Sequence, residues 1–215
     1  MKFYSILLSA VLALGAATVA AESETQKFSD PYKMMELLAD NTFSRIARDQ
    51  AKIEADPETL RQIVNEELVP YIDSRYAAYR VIGNSADLRK TPREELMAFV
   101  DAFQSYMVAT YAGVFTQYRD QKVIIEPARD FDGQKILTIK TRVIDPGKPD
   151  INIEFKLRRG TDENWLVFDM VAEGISLLDS KRAEFSNLIR QQGLNNVTQI
   201  LLEKAKTPIT KQEPK

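Results

Sequence analysis

Asp169 is the one acid inside an otherwise apolar run, Trp165 to Val171. A carboxylate in a greasy pocket can have a raised pKa and act as a general base. It can equally accept hydrogen bonds from a Tyr, an Arg or the backbone and serve as a structural partner, and that is the preferred reading. Tyr76, Tyr79, Tyr106, Tyr111 and Tyr118 could supply acids or oxyanion donors, but such tyrosines more often pack with a polar tip at a cavity edge. Lys156, Arg158 and Arg159 form a small basic cluster suited to a phosphate headgroup, an acidic partner or simply a solvated hairpin end. The chain has no His and no Cys. The commonest general base, the commonest metal ligands and the Ser-His and Cys-His nucleophile pairs are therefore missing. There is no Gly-rich phosphate loop and no metal-ligand spacing. The expectation is no catalytic residue, no metal site and no cofactor.

The elements that must position these groups centre on Trp165 to Ser176. This stretch reads as a strand with a layer against each face, Trp165, Val167 and Val171 on one side and Leu166, Phe168 and Met170 on the other. Glu173-Gly174 makes the turn for backbone reasons alone. Ser176, with Asp179 three residues on, caps a following helix. Upstream, Ser29-Asp30-Pro31 opens a helix to about Lys52, whose apolar positions Tyr32, Met35, Leu38, Ala39, Thr42, Phe43 and Ile46 recur at helical spacing. Helices follow over about 58–69 and 71–82. Thr91-Pro92 opens the longest one, to about Tyr118, apolar over so much of its surface that it must be buried on more than one side. The period then changes to two over 122–126, 135–144 and 151–158, with short turns that favour an antiparallel meander. Helices over 176–192 and 194–206 follow the central strand. Helices, then strands, then helices make the class α+β, in one domain.

An apolar run from Ile6 to Val19, ending Val19-Ala20-Ala21, reads as a secretory leader over 1–21. It is shorter than the roughly 20 residues a membrane span needs. The single domain then occupies 22–208, in an exported compartment, and 209–215 is a polar tail. With 29 basic and 31 acidic residues there is no basic excess, so no nucleic-acid partner is expected. Without cysteine the fold rests on an ordinary apolar core. Periodicity alone does not distinguish a filled core from an apolar ligand cavity.

Several stretches in fixed order resemble the MlaC family of periplasmic phospholipid-binding proteins, also grouped as toluene-tolerance proteins. They are Asp30-Pro-Tyr-Lys-Met-Met35, Leu60-Arg-Gln-Ile-Val-Asn-Glu-Glu-Leu-Val-Pro-Tyr71, Thr91-Pro-Arg-Glu-Glu through Ala102-Phe103, Thr110-Tyr-Ala112, Val143-Ile-Asp-Pro146 and Trp165 through Ser176. The match departs after Gly83, where Asn84-Ser85 replaces residues that are often aromatic. The resemblance implies an NTF2-like twisted antiparallel sheet wrapped by helices, with a deep apolar pocket for the acyl chains of a glycerophospholipid. It implies a non-enzymatic periplasmic carrier. Its partners would be an inner-membrane ABC transporter complex with an MCE-domain subunit and an outer-membrane lipoprotein–porin complex, and its role would be to maintain outer-membrane lipid asymmetry. The alternatives are an NTF2-like enzyme using Asp169 and a tyrosine, or a binder of another hydrophobic molecule. Large apolar groups on inward faces then become the expected lining: Tyr76, Val81, Phe99, Phe103, Tyr106, Val143, Ile153, Phe155, Val167, Val171 and Ile175. The mouth is expected near Glu173 to Ser176, and a Glu at Ile175 or Phe155 is expected to abolish lipid loading.

Overall fold

The computed structural model describes residues 27–118, 121–145 and 147–210. The expected leader lies outside the described residues, as do residues 211–215 of the expected tail. Helix α1 (Pro31–Arg48) starts where predicted. The Asp30 carboxylate accepts from the backbone N–H groups of Tyr32 and Lys33, and Pro31 occupies the first turn. Instead of running to Lys52, it stops at Asp49, and a short α2 (Gln50–Ala55) follows. Arg45, Arg48 and Lys52 all lie within 4 Å of the Asp49 carboxylate at this joint. Arg45 also reaches across to Glu66 and Glu67 of α3 (Thr59–Glu67), at 2.5 and 2.6 Å, and ties the two helices together.

Pro70 makes the next segment depart from a plain helix. Val69–Tyr71 is a single 3-10 turn, and Ile72 is extended and bridges Val167. The Asp73 N–H donates to the Val167 carbonyl, and the Asp73 carboxylate then caps α4 (Ser74–Ile82). Helix α5 (Arg93–Phe115) starts one residue later than a Thr91 cap would place it. Pro92 is its N-cap, while the Thr91 hydroxyl donates to the Asp87 carbonyl and closes the preceding loop.

Among the described residues five antiparallel strands follow in sequence order, β1 (Lys122–Ile125), β2 (Ile136–Ile144), β3 (Ile151–Arg159), β4 (Trp165–Ala172) and β5 (Ile175–Ser176). The fold is α+β, an antiparallel sheet wrapped by helices, as expected. Register sets which side chains share a face, because directly paired residues point the same way. One face carries Val123, Val143 and Ile151 in one row and Ile125, Thr141, Ile153, Ala172 and Ile175 in the next. A β-bulge interrupts β4. Lys156 pairs with Asp169 and Leu157 with Val167, so Phe168 is the extra residue. The bulge corrects the predicted pleat. Val167 shares a face with Leu157, but beyond Phe168 it is Met170, paired with Phe155, that continues this face, and Val171, paired with Glu154, takes the other.

Ser176 caps α6 (Leu177–Gln192) through the Asp179 N–H, and α7 (Leu194–Ala205) closes the fold. Three apolar clusters result among the described residues. One joins α4, the first half of α5, α6 and α7 around Phe99, Phe103 and Phe185. The second joins α1, α2, α3 and the middle of α5. The third joins α1 to the sheet around Trp165. The second cluster includes Ile209, 7% exposed, from the segment expected to be tail. Its N–H donates to Glu58, and Arg61 donates to the carbonyls of Ala205 and Thr207, so the ordered fold continues through Ile209. No helix among the described residues is long and apolar enough to cross a membrane.

Candidate functional site

Between the inward face of the sheet and the helices lies a cavity of about 660 Å³. This sits in the upper half of the range of roughly 300–1,000 Å³ usual for small-molecule sites. On one side its wall is the alternate residues of three strands: Val123 and Ile125, Thr141 and Val143, then Ile151, Ile153 and Phe155. Beyond the bulge β4 adds Met170, and the bulge itself brings Val167, Phe168 and Asp169 onto the wall together. On the other side α1 contributes Met35, Leu38, Thr42 and Phe43. Helix α5 contributes Phe103, Met107, Tyr111, Val114 and Phe115, at the three- and four-residue spacing of one helical face, and Tyr118 follows from the turn after it.

Among the described residues four wall residues are exposed, and they lie at one end: Val114 in the last turn of α5, Gln117 just past it, Lys148 in the β2–β3 turn, and Ile151 opening β3. Gln121, Asp145 and Lys148 make this end polar, with Gln121 donating to Asp145 at 3.3 Å and Lys148 paired to Asp145 at 3.0 Å. At the other end Phe103, Ala77 and Leu178 are buried. From Phe103 to Phe115 along α5 is about 18 Å at 1.5 Å per residue. The cavity is therefore deep, mostly apolar and open at the α5 C-terminal end, with Ser74, Gln104, Asp169 and Lys181 on its wall toward the closed end. The expected mouth at Glu173 to Ser176 is displaced: that turn is hydrogen-bonded to Asn152, next to Ile151, and abuts the rim without lining it.

Five of the residues expected on the wall are there: Phe103, Val143, Ile153, Phe155 and Val167. Six are elsewhere. Val81 and Phe99 are fully buried in the interhelical cluster. Tyr106 turns toward α6, where its ring meets Phe185 at 5.9 Å and its hydroxyl accepts from Lys181 at 2.7 Å. Tyr76 lies under the Arg158 guanidinium, 4.6 Å from its ring centre, and edge-on to Phe168. Val171 is carried to the opposite face by the bulge. Ile175 has the inward face by register, but it stands on a two-residue edge strand with nothing over it and is 63% exposed. The residues missed are chiefly those of α1, together with Met107, Tyr111, Val123 and Met170. The apolar periodicity was visible for most of them, but which face met a cavity and which a filled core was not.

Asp169 has three donors. The Ser176 hydroxyl is at 2.8 Å, the Leu178 N–H at 3.1 Å and Lys156 Nζ at 3.0 Å, and the side chain is 2% exposed. A carboxylate so engaged anchors the start of α6 to β4 and places Leu177, Leu178 and Lys181 on the wall. Burial, with the Asp169 charge adding to it, pushes the Tyr111 phenol well above its ordinary value, so it stays a neutral donor. The basic cluster is used internally: Arg158 pairs with Asp73 and Lys156 with Asp169. Among the described residues no group of carboxylates is placed to hold a metal ion.

Fold and cavity together define a class, an α+β protein whose antiparallel sheet and covering helices enclose a deep apolar pocket with a polar rim. The family model described as MlaC protein matches residues 36–203. A relative from Haemophilus influenzae, named as an intermembrane phospholipid transport system binding protein MlaC, is 31% identical over 211 residues, covering 97% of this chain and 96% of its own. The chain belongs to the MlaC family. The toluene tolerance protein ttg2D of Pseudomonas putida is 20% identical over 193 residues, covering 88% of this chain and 85% of its own. A phospholipid-binding protein of Ralstonia solanacearum, solved in complex with a phospholipid, matches with a TM-score of 0.71 at 20% identity. It covers 80% of this chain and 95% of its own, and the likeness is one of fold.

Proposed function

We propose that this protein is a periplasmic carrier that takes a glycerophospholipid by its acyl chains, with no catalytic step. The observation that carries this is the cavity: about 660 Å³, mostly apolar along about 18 Å of α5, and open at one polar end. A bilayer core is about 30 Å thick, so one leaflet of acyl chains spans about 15 Å, and the cavity is deep enough to hold chains lengthwise. Gln117, Gln121, Asp145 and Lys148 then meet the phosphate and headgroup at the rim. Two chains of about 16 carbons gain on the order of 25 kcal/mol against water at roughly 0.8 kcal/mol per CH₂. A bilayer offers nearly the same, so transfer in either direction is close to neutral and needs docking, not chemistry. Asp169, held by three donors, is read as a positioning group for α6.

The names of the relatives support this reading, as does the phospholipid held by the Ralstonia protein on the same fold. By the same reading, residues 1–21 are a leader and the carrier works between an inner-membrane ABC transporter complex with an MCE-domain subunit and an outer-membrane lipoprotein–porin complex. There it maintains outer-membrane lipid asymmetry. Native mass spectrometry and lipid extraction of the purified chain test the central claim. Co-purified phospholipid, or stoichiometric uptake from vesicles, is expected. A chain that carries none and acquires none would overturn it, and a bound sterol-like or solvent molecule in its place would redirect it.

A further inference from the structure

The inner end of the cavity is closed and polar at once. Phe103 and Leu178 line it and belong to the filled interhelical cluster. The Phe103 ring stacks on that of the fully buried Phe99, 6.3 Å between centres, so the floor is close-packed core and does not give. Gln104 of α5, Ser74 of α4, Lys181 of α6 and Asp169 of β4 stand on the wall toward this floor. Asp169 is held by its three donors, and Lys181 Nζ donates to Tyr106 at 2.7 Å and to Glu184 at 2.8 Å. Gln104 and Ser74 are half-buried, and neither side chain hydrogen-bonds to another described residue, so both rely on solvent. A hydrocarbon chain pressed over an amide or a hydroxyl strips its water and returns no hydrogen bond. From Gln104 to Phe115, beside the open end, α5 rises about 16 Å at 1.5 Å per residue. One leaflet of acyl chains spans about 15 Å, half the thickness of a bilayer core.

We infer that the cavity is a ruler for acyl-chain length, with Gln104 marking its limit and the Phe103 floor closing it, and that it selects phospholipids whose chains have about 16 carbons. This rests on the carrier reading and adds a specificity to it. Up to the limit each methylene passes from the bilayer to an equally apolar wall, and nothing discriminates. Beyond it a methylene either crowds the polar groups or stays outside the mouth in water, while the bilayer still shelters it. Each such methylene forfeits roughly 0.8 kcal/mol, about four-fold in the partition between carrier and bilayer. Shorter chains leave Phe103 and Leu178 uncovered and lose the contacts there.

The test is uptake by the delipidated chain from vesicles that mix, in equal amounts, phosphatidylethanolamines with monounsaturated chains of graded length, read by native mass spectrometry. The wild type is expected to load best at about 16 carbons and to take chains of about 20 carbons at least ten-fold less. Gln104→Trp brings the stop toward the mouth and should move the maximum to shorter chains. Phe103→Ala removes the floor and should move it to longer ones. The two shifts have opposite sign, which a general loss of packing does not produce, and melting curves of the delipidated variants show that each is folded. If Phe103→Ala does not fold, the shift in Gln104→Trp decides the matter by itself. Equal uptake of all lengths by the wild type, or a maximum that stays in place in folded Gln104→Trp, would overturn the ruler. Uptake of no phospholipid of any length by the wild type would overturn the carrier reading itself.

Discussion

Asp169 has its oxygens occupied by Ser176, Leu178 and Lys156, and each of those contacts joins β4 to a neighbouring element. Removing a buried, hydrogen-bonded charge leaves its partners unpaired, so Asp169→Ala is expected to cost about 3 kcal/mol in urea unfolding. Asp169→Asn, which keeps one acceptor oxygen, should cost less. The lining makes a second residue-scale prediction. Phe155→Glu or Ile153→Glu places a carboxylate in the apolar wall and should abolish phospholipid loading, measured by lipid extraction, at a fold cost of a few kcal/mol. Ile175→Glu, at a position exposed to solvent, should load as the wild type does. A loss of loading in Ile175→Glu would put that edge strand on the lipid path after all.

At the scale of elements, two features carry most of the positioning. The bulge at Phe168 changes which β4 side chains face the cavity, and the Asp169 contact holds the start of α6 against it. A third, the anchoring of the chain after α7, is pH-dependent. The Arg61 guanidinium, then the Ile209 N–H, hold the Glu58 carboxyl below its ordinary value of 4.5. A carboxyl whose pKa is lowered on folding contributes stability that is present above the unfolded value and lost as pH falls through the folded one. Hydrogen exchange at Ile209 and its neighbours is therefore expected to accelerate as pH drops below about 4.5, after correction for the intrinsic rate. In Glu58→Gln that acid-dependent step should be absent. An identical acid profile in the variant would show that the segment is held by the burial of Ile209 instead.

For the whole molecule, a deep apolar cavity links stability to its occupant. Anything that binds the folded chain and not the unfolded one stabilises it by mass action, about 2.7 kcal/mol at a hundredfold excess over the dissociation constant. For a chain of this size that corresponds to about 5–10 °C in melting temperature. Delipidated protein is expected to melt lower by that amount and to recover on incubation with phospholipid vesicles. The same coupling should fail in Phe155→Glu, whose melting temperature should not respond to lipid.

The amino-acid sequence by itself determined the class of elements and their order. Capping residues such as Asp30 and Ser176, the helical recurrence from Tyr32 to Ile46 and the alternation from Ile151 to Arg158 are local physics, and they are legible because neighbours in the chain decide them. It also determined that core-scale apolar surface exists on α5, since Phe99, Phe103, Met107 and Tyr111 can be counted. What the tertiary structure alone decided is which of those surfaces closes on itself and which stands open. Phe99 and Val81 are matched by α6 and α7 and become filled core, while Met107 and Tyr111 face a sheet held away from them. A one-residue bulge, invisible in an unbroken apolar run, moved Val171 off the wall and Met170 onto it, because a strand's period of two turns a single insertion into a change of face. Gln104 shows the same limit. In the chain it is one polar residue on a largely apolar helix, and only the packing around it places its amide toward the inner end of a cavity.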